Sequence, residues 1–244
     1  MEHPYLSLII PAYNEETRLP ATLEQAFTFL QRQDYSWEVL VVENGSQDRT
    51  YEIAEEFASR YPNFHALHEQ RRGKGLAVQR GMLAARGCYR FMADADFSMP
   101  PSEINRFLPP AVDVDIAIAS REKPGSVRYN EPPYRHFVGR VFNTLIRLMA
   151  LPGLHDTQCG FKCFRAEVAE DVFRYQTLAG WSFDVEILYI ARRRGYRIAE
   201  LPIDWYFNPE SKVDVLRDSF AMFTDLLKIR LNAARGVYGP EVRS

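Results

Sequence analysis

Leu6-Ser7-Leu8-Ile9-Ile10-Pro11-Ala12-Tyr13-Asn14-Glu15 sets an apolar run of strand length against a proline and a polar loop. A short continuous apolar run suits a strand covered on both faces, as in parallel sheets. The same unit then recurs. Pro20 starts a helix whose Leu23, Ala26, Phe27 and Leu30 keep the helical period. Val39-Leu40-Val41-Val42 is a second buried strand, broken by the turn-forming cluster Glu43-Asn44-Gly45-Ser46-Gln47-Asp48-Arg49-Thr50, in which Asp48 is placed to cap the helix carrying Ile53, Ala54 and Phe57. A strand at Phe64-His65-Ala66-Leu67, a helix after Gly73-Lys74-Gly75 and a strand at Tyr89-Arg90-Phe91-Met92 continue the alternation. The pattern predicts an α/β fold: a doubly wound, mostly parallel, Rossmann-like sheet with helices on both faces.

In such sheets ligands sit beyond the carboxyl ends of the strands, so the polar loops after successive strands should share one cleft. The loop after the fourth strand is Asp94-Ala95-Asp96-Phe97-Ser98. Alternate residues of an extended chain share a side, which lets Asp94 and Asp96 converge. Two carboxylates held close repel unless a cation lies between them. Mg²⁺ or Mn²⁺, which takes oxygen ligands and shares them with a substrate phosphate, fits that need. The same residues also read as an acidic turn with Asp96 capping a helix at Pro100-Pro101. In the neighbouring loops Tyr13 offers a stacking face, Asn44 an amide for a base edge and Lys74 a cation near phosphate. Each also has an ordinary use, in packing or in a turn, and Gly73-Lys74-Gly75 lacks the full spacing of a phosphate-binding P-loop.

Composition narrows the classes. The 244 residues, 46 % of them hydrophobic, can bury a sizeable core, and the expectation is one elaborated domain over 1–244: a nucleotide-sugar half at 1–120, an acceptor half at 121–210 and an amphipathic helix at 211–235. A formal charge of -2 carries no nucleic-acid signature. Cys88, Cys159 and Cys163 make no disulfide framework, and Met1-Glu2-His3-Pro4 does not resemble a signal peptide, so a reducing cytoplasm is expected. His155, Cys159 and Cys163 lack a fourth zinc ligand. No apolar run reaches the roughly 18 to 20 residues of a membrane span.

With these motifs in order, PAYNE at Pro11 to Glu15, ENGSQDRT at Glu43 to Thr50 and DAD at Asp94 to Asp96, the chain resembles family 2 glycosyltransferases of GT-A fold. Gly73-Lys74-Gly75, Asp156-Thr157-Gln158-Cys159-Gly160-Phe161-Lys162 and Trp181-Ser182-Phe183-Asp184-Val185-Glu186 resemble the dolichyl-phosphate glucosyltransferase and mannose synthase branch, over about residues 5 to 207. The resemblance implies that Pro11, Tyr13, Glu15 and Asn44 border the nucleoside, and that Asp94 and Asp96 lie at diphosphate and metal. Two positions depart from the pattern. Glu43-Asn44 replaces the usual Asp-Asp pair, which leaves the base open, and Ser98 stands where relatives often carry a Gln beside the metal. The implied donor is UDP-glucose, then GDP-mannose, and the implied acceptor a polyprenyl or dolichyl phosphate. A soluble hydroxyl acceptor and a nucleotidyltransferase are the alternative enzymes; the latter should carry a Gly-rich basic signature where Pro11 to Glu15 stands.

The second half holds acceptor-type features. A strand at Val114 to Ser120 ends at Arg121, Glu122 to Pro133 reads as a mobile loop over the cleft, and a helix over Tyr134 to Met149 carries Arg135 and Arg140. Arginine binds phosphate oxygens bidentately, so Arg121, Arg135 and Arg140 are candidates for an acceptor phosphate, with a solvated helix face as the alternative for the last two. Asp156, Lys162, Asp184 and Glu186 are further polar candidates. A hydroxyl acceptor needs a general base, whereas a phosphate is already an anion; for a base the family resemblance implies Asp156 first, with Asp184 second, although Asp184 and Glu186 also suit a helix start. From Val213 to Leu231 two apolar stripes run side by side, Val213, Leu216, Phe220, Phe223, Leu227 and Leu231, then Val215, Met222, Leu226 and Ile229, opposite Asp214, Arg217, Asp218, Asp225 and Lys228. An arc of roughly 200° exceeds the stripe of a surface helix. The expectation is a helix lying on the cytoplasmic face of a membrane or pairing with a second subunit as a homodimer, Arg230 and Arg235 adding positive charge. Burial between the sheet and the helix at Tyr134 to Met149 is the alternative.

Overall fold

The computed structural model describes residues 3–207 and 215–240, and within them every side chain except those at 135, 137 and 215–220. In chain order the strands are β1 (Leu6–Ala12), β2 (Trp37–Glu43), β3 (Phe64–His68), β4 (Tyr89–Ala93), β5 (Ile116–Ser120), β6 (Val127–Tyr129), β7 (Phe161–Arg165), β8 (Ile198–Pro202) and β9 (Asp204–Tyr206). The α-helices are α1 (Leu19–Leu30), α2 (Thr50–Arg60), α3 (Lys74–Ala84), α4 (Pro133–Met149), α5 (Ala166–Arg174), α6 (Phe183–Arg193) and α7 (Val215–Ala234), with a 3₁₀ turn at Pro101–Phe107. The main sheet has the order β3-β2-β1-β4-β7-β5-β8 and takes strands from both halves of the chain.

Every neighbouring pair in the sheet is parallel except those made by β7, which runs antiparallel to β4 and β5. This reversed strand positions the site. Ala93 at the carboxyl end of β4 faces Phe161 at the start of β7, so the loop Asp156–Gly160, which precedes β7, arrives at the same end of the sheet as the loops that follow β1, β2 and β4.

Strand residues alternate between two cores, one on each face. Ile9, Leu40, Val42, Met92 and Phe164 join Val78, Phe142, Phe173, Leu188 and Leu226 from α3, α4, α5, α6 and α7. Leu8, Ile10, Val41 and Phe91 join Leu23, Phe57 and Phe107 from α1, α2 and the 3₁₀ turn. Both faces are thus covered, which is why the strands read as unbroken apolar runs.

Two expectations change. The segment Glu122 to Pro133, expected as a loop, carries β6, which pairs with β9. Tyr129 and Tyr206 stack at 4.6 Å, and Arg128 pairs with Glu122 and Glu131. A three-residue strand among prolines, glycines and charges is too short to show period two. The C-terminal helix divides its two stripes. Leu226 and Ile229 are 0 % exposed in the core, whereas Phe223, Leu227 and Leu231 are 38 %, 50 % and 47 % exposed. Val213 and Asp214, and the side chains of Val215, Leu216, Arg217, Asp218 and Phe220, lie outside the described residues. Among the described residues no helix is long and apolar enough to cross a membrane.

Candidate active site

Two loops at the carboxyl ends of β1 and β2 are tied into one wall. The Asn14 amide N–H donates to Ser46 Oγ at 3.0 Å, Gln47 N–H to Asn14 Oδ1 at 2.8 Å, Glu15 N–H to Thr50 Oγ1 at 2.7 Å and Glu16 N–H to Asp48 Oδ2 at 3.1 Å. Asp48 also accepts from the Thr50 N–H at 3.0 Å, at the start of α2. Asn14 takes φ of 50°, a left-handed conformation that asparagine tolerates. In the second of these loops Asn44 is buried, and Glu43 is spent on the fold, bonding the Ser46 N–H and His68 Nδ1. Glu15 holds Arg18 through both carboxylate oxygens, at 2.7 and 2.9 Å, and the Arg72 guanidinium lies 4.5 Å over the Tyr13 ring. Arg72 escaped the sequence reading.

Opposite this wall lies the acidic loop after β4. Asp94 and Asp96 are both partly exposed, and Asp96 Oδ1 accepts from the Ser98 N–H at 3.1 Å, with Ser98 itself buried. Phe97 between them has φ of 39°, uncommon for a bulky side chain and costing about 1–3 kcal/mol, a cost that such residues at binding sites often carry. The Asp94 N–H donates to Gly160 O at 3.1 Å, and a Cβ on Gly160 would come within 2.0 Å of Asp94 Oδ2. Only glycine lets the loop before β7 pack against that carboxylate. Lys74, the first residue of α3, places its Nζ 2.6 Å from Asp94 Oδ1 and 5.2 Å from the Trp181 ring centre. Burial works against the Lys74 ammonium, but Asp94, Asp184 and Asp96 outweigh it and hold its pKa above the ordinary value.

Below Lys74 a buried ion pair closes the floor. Lys162 is 0 % exposed, and its Nζ donates to Asp184 Oδ1 and to Cys159 O, both at 2.5 Å. Burial pushes the Asp184 carboxyl up, with Lys162 and Lys74 pulling against it. Glu186 is likewise consumed, by the Thr177 and Leu178 N–H groups at 2.9 and 2.7 Å and by Tyr238 Oη at 2.7 Å.

The third side carries the acceptor candidates. Arg121 grips Asp156 as a fork, Nε to Oδ2 at 2.6 Å and Nη2 to Oδ1 at 2.9 Å, and its own N–H adds a bond at 3.0 Å. Glu200 on β8 fixes that loop by accepting from the His155 and Asp156 N–H groups, both at 2.8 Å. Arg121 and Arg128 lie 5.3 and 5.9 Å over Trp205. Arg140 is exposed on α4, and the Arg135 side chain is outside the described residues. Arg128, Trp205 and Glu200 escaped the sequence reading. Arg128 lay in a presumed loop, and a single Glu in a short strand carries no pattern. His155 pairs with Glu200 at 2.8 Å, while Cys159 and Cys163 are buried.

Burial works to raise the Asp156 pKa, but Arg121 outweighs it and holds the carboxyl at about 2, against an ordinary 3.8. A folded value below the unfolded one stabilises the fold by about 2 kcal/mol at neutral pH, a contribution complete above about pH 5 and lost as pH falls through the folded value. Melting temperature followed from pH 6 to pH 2 should therefore fall more steeply in the wild type than in Asp156→Asn; parallel curves would contradict the assignment.

A mostly parallel sheet with one reversed strand and helices on both faces is an α/β architecture of GT-A type. The comparisons agree: the profile of Glycosyl transferase family 2 matches residues 7–173, and the chain belongs to that family. It is 38 % identical to a dolichyl-phosphate beta-glucosyltransferase of Trichomonas vaginalis, covering 93 % of this chain and 73 % of the relative, and 33 % identical to those of Dictyostelium discoideum (98 % and 77 %) and Homo sapiens (96 % and 77 %). A glucosyl-3-phosphoglycerate synthase from Mycobacterium tuberculosis, solved with Mn²⁺, UDP-glucose and phosphoglyceric acid, superposes with a TM-score of 0.65 at 18 % identity, covering 97 % of this chain and 80 % of that one. It shares the fold.

Proposed function

We propose that the protein transfers a hexose, glucose from UDP-glucose, to the phosphate of a polyprenyl or dolichyl lipid with inversion at the anomeric carbon. The observation that carries this reading is the state of the two carboxylates able to serve as a base. Asp156 is forked to Arg121 and held near pKa 2, and Asp184 is 2 % exposed and bound to Lys162. A hydroxyl acceptor needs a proton taken from it; a phosphate acceptor needs only to be placed. The names of the relatives favour the same acceptor and sugar.

In this reading Pro11, Tyr13, Glu15 and Asn44 border the nucleoside, and Lys74 serves the diphosphate. Asp94 and Asp96 fit a divalent cation, Mg²⁺ or Mn²⁺: both are partly exposed oxygen donors at one strand tip, and the Ser98 N–H donates to Asp96. That cation, when bound, supplies neutralisation of the charge that develops on the departing diphosphate. Arg121, fixed by Asp156, and Arg140 and Arg135 on α4 bind the acceptor phosphate, and an oxygen of that phosphate attacks the anomeric carbon from the face opposite the leaving group. Asp156 is a positioning group. Arg140 gives the clean test because it is exposed and its loss strands no buried partner: Arg140→Ala should raise the acceptor's KM about tenfold, the worth of one charge-assisted contact, while UDP affinity by calorimetry stays the same. Equal loss of donor affinity would reassign it.

The exposed stripe Phe223, Leu227 and Leu231 supports peripheral attachment to a membrane, where a lipid acceptor resides. Leu227→Ser with Leu231→Ser spares the buried stripe, so the protein should stay folded and lose flotation with anionic vesicles; equal flotation, or none by the wild type, would count against attachment.

A further inference from the structure

Lys74 sits where it should not if Asp94 were simply waiting for a cation. Its Nζ lies 2.6 Å from Asp94 Oδ1, with Lys74 16 % and Asp94 34 % exposed, so the carboxylate already has a positive partner in a half-buried setting where charges act more strongly than in bulk water. The backbone on either side of the pair is fixed. Gly75 N–H donates to Ala179 O at 2.8 Å, Gln176 Nε2 donates to Gly75 O at 2.8 Å, and Asp94 packs on Gly160 with its N–H on Gly160 O. Lys74 thus reaches Asp94 through a side chain of four torsions that starts from a held backbone. In that same position Nζ lies 5.2 Å from the ring centre of Trp181, a face that attracts an ammonium, and the charge of Asp184 also favours it.

We propose that Lys74 is an internal counter-ion that competes with the divalent cation for Asp94, so that the donor-free protein holds the cation weakly and binds it well only when a diphosphate draws Lys74 away. This rests on Asp94 and Asp96 as the cation's carboxylates. Binding of cation and nucleotide is then coupled through one side chain, and by linkage each strengthens the other by the same factor, about tenfold for a coupling of ordinary size. The coupling guards the site. A carboxylate pair with no internal partner would take up cation without donor, whereas this one gains it together with the diphosphate whose charge it must offset.

The test is direct Mn²⁺ binding, by the free-ion spin-resonance signal or calorimetry, to the purified full chain with and without UDP, for the wild type, Lys74→Met, Lys74→Arg and Asp96→Ala. The expected result is that Lys74→Met binds Mn²⁺ about tenfold more tightly than the wild type without UDP, while its UDP affinity falls; Lys74→Arg, which keeps the charge, stays weak. A merely structural lysine would not raise cation affinity on removal. Unchanged or weaker UDP-free Mn²⁺ binding in Lys74→Met, with wild-type binding in the presence of UDP still lost in Asp96→Ala, overturns the competition and leaves the carboxylates in place. Wild-type Mn²⁺ binding with UDP that Asp96→Ala does not diminish overturns both.

Discussion

Asp96→Ala should lower transfer by at least about a hundredfold and abolish the Mn²⁺ dependence of UDP-glucose binding, because Asp94 as a lone carboxylate cannot hold both the cation and its orientation toward the diphosphate. The fold should survive. Asp96 is partly exposed and, among the described residues, its hydrogen bond is with the Ser98 N–H, so its loss costs little stability. Calorimetry with UDP-glucose and Mn²⁺ separates the two quantities; unchanged affinity with unchanged metal dependence would remove the carboxylates from the site.

Lys162→Met should act the other way, through stability. Lys162 and Asp184 are both buried, and removing one member of such a pair leaves an uncompensated charge at a cost of about 3–5 kcal/mol. For a domain of this size each kcal/mol moves the melting temperature by about 2–4 °C, so a fall of about 10 °C is expected. Lys162→Met with Asp184→Leu should recover much of it, since the double change removes both charges. A single variant that melts like the wild type would show that the pair carries no charge in the fold. A double variant that regains stability yet stays inactive would place Asp184 or Lys162 in function as well.

The gathering of the polar loops at one end of the sheet was legible in the sequence because they follow buried strands. The apolar runs at Leu6 to Ile10 and Val39 to Val42 placed two strands, and with them the wall built from Asn14, Ser46, Asp48 and Thr50. The reversed strand was not legible. Phe161 to Arg165 reads as an apolar stretch with a lysine in it, and nothing local states its direction; that is set by β4 and β5, which it enters between. The same holds for Lys162. A lysine in a polar motif looks like a ligand-binding group, and only the tertiary fold shows it sealed under Asp184 and Cys159. The C-terminal helix was half legible: its wide apolar arc holds both a buried and an exposed stripe, but the sequence does not tell which part the core takes. Leu226 and Ile229 are inside, so truncating the helix would open the core and confuse attachment with folding. Substitution of Leu227 and Leu231 avoids that. Asp156 and Arg121 were both singled out, but their mutual grip was not, since they lie 35 residues apart and meet only because β7 turns back.

The measurement that bears most directly on the account is transfer of labelled glucose from UDP-glucose, with Mn²⁺ or Mg²⁺, to dolichyl phosphate and, in parallel, to dolichol, the same lipid with a hydroxyl in place of the phosphate. The account predicts labelled lipid from the phosphate and none from the alcohol, because the two candidate bases, Asp156 and Asp184, are committed to Arg121 and Lys162. Transfer to dolichol or to a water-soluble hydroxyl acceptor, without transfer to dolichyl phosphate, would contradict it.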